Sequence, residues 1–145
     1  MTTANDVAAY ILRKLGRMTA MKLQKLAYYS QAWSLVWDER PLFRDRVEAW
    51  VNGPVVPNLY AVHRGLFDVK SWPKGNPENL SNVQRETVDA VLEFYGDKSS
   101  QWLSELTHSE DPWKDARQGL SPMQHGENEI THASMPASYG SRPRP

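Results

Sequence analysis

The 145-residue chain contains no cysteine. Disulfides, thiolate zinc sites and cysteine nucleophiles are excluded on composition alone, and a reducing cytoplasm is the setting that fits. Net charge is missing as well: 17 Lys and Arg stand against 17 Asp and Glu. A neutral whole argues against a dedicated nucleic-acid coat. It also leaves little repulsion between molecules, which suits a protein partner or a homo-oligomer. Long apolar runs are absent: none approaches the ~20 residues a membrane span requires. The opening MTTANDVAAYILRKLG lacks the basic-then-apolar order of a secretory signal. A soluble, cytoplasmic protein with no membrane partner is the expectation.

Catalytic signatures are scarce too. No GxxxxGK[ST], GxGxxG or G-x-S-x-G occurs. His63, His125 and His132 are scattered, with no pair at metal-ligand spacing. His108-Ser109-Glu110 echoes the H-x-E of zinc deaminases, but that chemistry needs two cysteine ligands that this chain cannot supply. The plainer expectation is a helix end, in which Thr107, His108 and Glu110 satisfy backbone groups and one another before Pro112. No catalytic residue, cofactor or metal is therefore expected.

What is present is a helical pattern rich in aromatics, with six tryptophans and six tyrosines. Asn5 or Asp6 is placed to cap a first helix with an apolar face at Val7, Ala8, Ile11, Leu12 and Leu15, stopped by Gly16. Thr19 caps a second helix, MKLQKLAYYSQAWSLVW. It is apolar on most faces, the mark of a central helix, and relieved only by Lys22, Gln24, Lys25 and Gln31. Adjacent helical positions diverge by ~100°, so one of Tyr28 and Tyr29 is expected at the surface. Pro41 ends the helix. Leu42 and Phe43 read as extended, Val47 to Val51 as a strand, and the two as a hairpin. Asn52-Gly53 makes a turn, Pro54 interrupts a ladder at its own nitrogen, and Pro57 opens the next helix. Residues 68–80 read as loop, Ser81-x-x-Gln84 as a capping box, and Ser99 or Ser100 as the cap of a further short helix. Residues 117–128 read as loop. Thr131 caps a last short helix that Pro136 trims. The fold class expected is mostly α with a small β-hairpin, a domain over residues 1–135 and a flexible tail over 136–145.

Three blocks carry a family resemblance: LQKLAYYSQAW at 23–33, PLFRDRVEAWVNGPVVPNLY at 41–60 and LSELTHSEDPWKDAR at 103–117. Together they resemble the Panacea domain of SocA-like antitoxins and phage-associated proteins, over residues 7 to about 118. The resemblance implies a bacterial or phage antitoxin that binds and neutralises a cognate toxin, commonly the product of an adjacent gene. Some members are similar to adaptors that deliver the toxin to a AAA+ protease. It implies a mostly helical fold without catalysis. After Ile130 the chain departs from the family pattern, ending in THASMPASYGSRPRP.

On this reading Trp50, Gly53, Pro54, Pro57, His108, Pro112 and Trp113 are scaffold, since Gly and Pro specify backbone more often than chemistry. Partner contacts are sought outside them, at Lys22, Lys25, Tyr60, Arg64 and Trp72, the last either an aromatic exposed in a polar loop or one folded back over the core. Charge is split along the chain. Residues 1–30 carry Arg13, Lys14, Arg17, Lys22 and Lys25 against Asp6, net +4, and residues 78–129 carry eleven acids against four bases, net −7. Such a dipole can steer a charged partner. The basic group reads as a solvated helical face in preference to a phosphate-binding one.

Overall fold

The computed structural model describes residues 1–141. The element order is α1 (Ala4–Leu15), β1 (Met18–Thr19), α2 (Ala20–Trp37), β2 (Glu48–Trp50), β3 (Gly53–Val55), α3 (Pro57–His63), β4 (Asp68–Val69), a 3-10 turn (Pro77–Asn79), α4 (Asn82–Tyr95), α5 (Ser100–Ser109), α6 (Asp111–Ala116) and α7 (Ser134–Tyr139). The protein is mostly α, with β1 paired to β4 and β2 to β3, both antiparallel.

Local signals act where the sequence put them, with one displaced. Thr3, rather than Asn5 or Asp6, caps α1, and Asp6 closes the box by accepting from the Thr3 backbone. Thr19 and Ser99 accept from backbone N–H groups at the starts of α2 and α5, and Ser81 with Gln84 forms the box at α4. The central position expected of α2 is observed: α1, α4, α5, α7 and β3 all pack against it. Because neighbours surround it, Tyr28 and Tyr29 are both buried, and the expectation that one would be exposed fails. Adjacent side chains diverge, but each direction here leads into protein.

The hairpin differs from expectation. Strand β2 pairs with β3 across the Val51-Asn52 turn, not with Leu42 and Phe43. The other edge of β2 is taken by residues 128–130: the Ala49 N–H donates to the Asn128 carbonyl at 2.8 Å and the Ile130 N–H to the Val47 carbonyl at 2.8 Å. This explains how Pro54 sits inside a strand. Ala49, its partner, points its N–H away from β3, so the two form a non-hydrogen-bonded pair in which the Pro54 nitrogen faces away from β2 and has no ladder bond to lose.

The segment 68–80 is more structured than a loop. Its first two residues form β4, and the remainder folds over the start of α1. The Asn76 N–H and the Asn79 side chain donate to Asp6 at 2.8 and 3.3 Å. Burial raises the Asp6 pKa, but hydrogen bonds from Asn76, Thr3 and Asn79 outweigh it and hold the carboxyl below the usual range. Trp72 closes the same seam, donating its indole N–H to Asn5 Oδ1 at 2.8 Å.

The chain stays ordered past residue 135. Helix α7 runs through Pro136, which lies in its first turn, where no N–H is needed. Tyr139 is only 1% exposed. The packed region therefore reaches at least Tyr139, and residues 142–145 of the expected tail lie outside the described residues.

A Cβ placed on Gly75 would fall 1.9 Å from the Asn5 carbonyl oxygen, a collision with backbone that no side-chain rotation relieves. Gly75→Ala is expected to lower stability by about 1–3 kcal/mol, read as a fall in the urea midpoint at unchanged m-value.

Candidate functional site

The three sequence blocks meet on one side of α2, joined by polar groups inside an apolar core. Gln24 and Gln31 stand two helical turns apart on the same face. The Gln24 side-chain oxygen accepts from the Val56 N–H at 2.8 Å, and its amide donates to the Val56 carbonyl at 3.2 Å. That clasp holds the corner between β3 and α3. Gln31 does the same for the stretch after α2: Leu42 and Phe43 donate to its oxygen at 2.7 and 3.2 Å, and its amide donates to the Phe43 carbonyl at 2.7 Å. A side chain supplies what a β-strand partner would have, which is why Leu42 and Phe43 are extended yet unpaired. Each amide also meets a histidine nitrogen, Gln24 with His63 at 3.0 Å and Gln31 with His132 at 3.2 Å. Burial, with the nearby Lys25, lowers the His63 pKa, consistent with a neutral ring accepting from Gln24.

Lys25 lies fully buried beneath Gly53. A Cβ on Gly53 would stand 2.7 Å from Lys25 Cε and 3.0 Å from Thr107 Oγ1, and Gly53 has φ +115°. Glycine is required there on both counts. The Lys25 ammonium nitrogen makes no hydrogen bond among the described residues, and burial drives its pKa down to about 7. The same cation and burial lower the pKa of His108, whose ring bonds the Val51 backbone and packs on Trp113 at 4.4 Å. Trp113 in turn donates to the Trp50 carbonyl at 2.8 Å. Beyond them lies a cleft of about 540 Å³, with Val51, His108 and Trp113 on one wall and Leu120, Pro122 and Met123 on the other.

Glu110 anchors the third junction. Tyr29 and Tyr139 both donate to its Oε1 at 2.7 Å, and the Tyr28 and Tyr139 hydroxyls lie 3.0 Å apart. Tyr29 stacks on Tyr95 at 4.2 Å, and Tyr95 accepts from the Trp33 indole at 3.1 Å. Burial first, then Glu110, raises the pKa of Tyr29; burial, then the two neighbouring tyrosines, raises that of Tyr139. Both hydroxyls stay protonated and act as donors.

The expected scaffold residues Trp50, Gly53, Pro54, Pro57, His108, Pro112 and Trp113 lie at or beside these junctions. The helix end expected at Thr107, His108 and Glu110 is observed, with the Glu110 N–H donating to the Thr107 carbonyl at 3.2 Å, but their side chains turn elsewhere. Thr107 turns back to the Ser104 carbonyl at 2.9 Å, while His108 and Glu110 reach other elements. The residues sought as partner contacts divide. Tyr60 and Arg64 are exposed on and after α3, and Lys22 is half-buried with its pKa lowered by burial. Lys25 is wholly enclosed, and Trp72, at 5% exposure, folds inward and is held by Asn5. The basic group is dispersed, with Arg13 paired to Glu78 at 3.3 Å and Lys14 to Asp89 at 3.6 Å.

Gln24 and Gln31 were missed as organising residues, although their signal was present: two amides seven residues apart in an otherwise apolar helix. Arg117 had no such signal. It is buried and donates to the carbonyls of Ala49, Ser121 and Gln124, tying the loop after α6 to β2. Among the described residues no three His, Cys, Asp or Glu side chains converge where a metal could bind, and no helix is long and apolar enough to cross a membrane.

This is a small helical protein whose recurring motifs interlock as an internal frame. The chain belongs to the antitoxin SocA-like, Panacea-domain family, whose model matches residues 23–114, nearly two thirds of its length. The match contains Gln24, Lys25, Gly53, His108, Glu110 and Trp113. Neither the curated proteins nor the solved structures contain a match.

Two measurements probe the frame. Folded Lys25 loses its proton near pH 7, whereas the unfolded chain keeps it up to the ordinary lysine value of 10.5. Between those limits the unfolded state binds the extra proton, so stability rises with pH, and below about pH 7 this contribution is flat. Lys25→Met is expected to be the more stable chain at neutral pH, with its advantage shrinking as pH approaches 10; urea midpoints across that range give the comparison. Tyr139→Phe keeps the ring but removes a donor to Glu110, with an expected loss of about 1–3 kcal/mol in the same assay.

Proposed function

We propose that the chain is an antitoxin that neutralises a toxin protein by direct binding and makes or breaks no bond itself. Family membership supports the antitoxin role. The observation that carries the non-catalytic reading is the direction in which the matched polar groups point. Gln24 and Glu110 are buried and bonded to the protein's own elements, and Gly53 is filled from below by Lys25. Groups committed inward fix a backbone, and recognition is left to the surface that the frame carries. Tyr60, Arg64 and Lys22 are available for it; Lys25 and Trp72 act only by supporting it.

Neutralisation at nanomolar affinity corresponds to about −12 kcal/mol. An interface of standard size takes ~800 Å² from each partner, about a tenth of the 7547 Å² this chain exposes.

The test is co-expression with the product of the adjacent gene. Growth arrest by that product alone, relieved by this chain, and co-purification of the two is the expected result. Failure of both removes the reading. Toxin lifetime separates two mechanisms: an unchanged half-life under protection indicates sequestration, and a half-life shortened only when a AAA+ protease is present indicates an adaptor.

A further inference from the structure

The turn between α3 and β4 holds apolar side chains in water and is fixed at both ends. Leu66 is 57% exposed and Phe67 80%. The Leu66 N–H donates to the His63 carbonyl at 2.8 Å, and the Phe67 carbonyl accepts from the Ala20 N–H at 2.8 Å. The following residues pair with β1. Tyr60, 37% exposed on α3, extends the apolar strip back toward Trp50, with the two rings 5.0 Å apart edge to face. A backbone tied down on each side loses little entropy when its side chains are covered, a preorganised arrangement that favours binding.

Charge around the turn is one-sided. Arg64 lies within it. The register of β1 with β4 pairs Met18 with Val69 and Thr19 with Asp68, so Arg17 and Lys70 are the residues that flank one end of the pair. Both are exposed. Among the described residues none of Arg17, Arg64 and Lys70 has a carboxylate partner, whereas Arg13, Lys14, Arg46 and Arg85 each have one. Asp68, beside Lys70 in the chain and paired with Thr19, is an exposed acid among them. Three exposed cations thus lie on and beside a turn with an apolar centre, and a partner's carboxylates would be favourable there.

We infer that this turn, Leu66 and Phe67 with Arg17, Arg64 and Lys70, is the docking surface for an acidic segment of a partner protein that brings at least one apolar side chain. The apolar side chain covers Leu66 and Phe67, and the partner's carboxylates face the three cations. A bare polyphosphate would satisfy the cations but leave the apolar centre wet and meet Asp68 head-on. The inference rests on the antitoxin reading, and names the surface through which the partner is held.

The test uses the full chain co-expressed with the adjacent gene product as the probe. Phe67→Glu and the triple variant R17E/R64E/K70E are expected to lose growth protection and to weaken binding by about tenfold or more. Val83→Glu, an equally exposed change on α4, is expected to stay within about twofold of the unaltered chain. Added salt is expected to weaken the unaltered complex but not the residual binding of the triple variant. Phe67→Ser and Leu66→Ser give the same reading without a new charge should Phe67→Glu fold poorly, which a thermal melt reports. Protection that survives the turn variants overturns the docking surface and leaves the antitoxin reading standing. Lack of protection and binding by the unaltered chain overturns both. Binding of a short DNA duplex that the triple variant loses, with protein binding intact, assigns the cations to phosphate and also overturns the inference.

Discussion

Two glutamine side chains inside an apolar helix are the constraint on which the remainder of this fold depends. Residues 42–43 and 56 must turn sharply around α2, and their backbone groups lie too deep for water. A buried N–H or C=O left unpaired costs on the order of 1–3 kcal/mol. Gln24 and Gln31 each present an acceptor oxygen and a donor NH2 side by side, the two kinds of group that a strand edge would have offered. With those groups paired, the corner at Val55-Val56-Pro57 has one geometry, α3 leaves in one direction, and the turn at its end arrives beside β1.

The second level of the frame is aromatic and ionisable. Glu110 is held by two tyrosine hydroxyls from α2 and α7, so the final helix is bound to the centre by directed bonds as well as by packing. Lys25 works in the opposite sense. Its ammonium nitrogen is enclosed beneath Gly53 with no hydrogen bond among the described residues, and burial lowers its proton affinity; burial first, with Lys25 adding to it, also lowers that of His63 and His108. Stability and pH are thereby linked at the junction where all three motif blocks converge.

On the proposed reading, recognition falls on what the frame leaves outside. The motif residues face one another, so changes at exposed positions such as Leu66, Phe67 or Arg64 alter the surface without disturbing a buried bond. A scaffold of this kind can keep its fold while exposed side chains vary.

Much of this was readable from residue order. Caps at Thr19, Ser81 and Ser99 and the proline at the start of α3 act locally, through backbone groups within three or four residues, and a central α2 followed from its apolar faces. Those are short-range consequences of steric and hydrogen-bonding rules, and they fixed the mostly α class. Tertiary structure alone decided the rest. Burial of Tyr28 together with Tyr29, of Lys25 and of Trp72 depends on which elements close over them, and no local pattern encodes that. The pairing of β2 with residues 53–55 and 128–130, the inward turn of Tyr139 and the pairing of β1 with β4 join positions that no local pattern links. Their energies arise only when the chain has already brought them into contact.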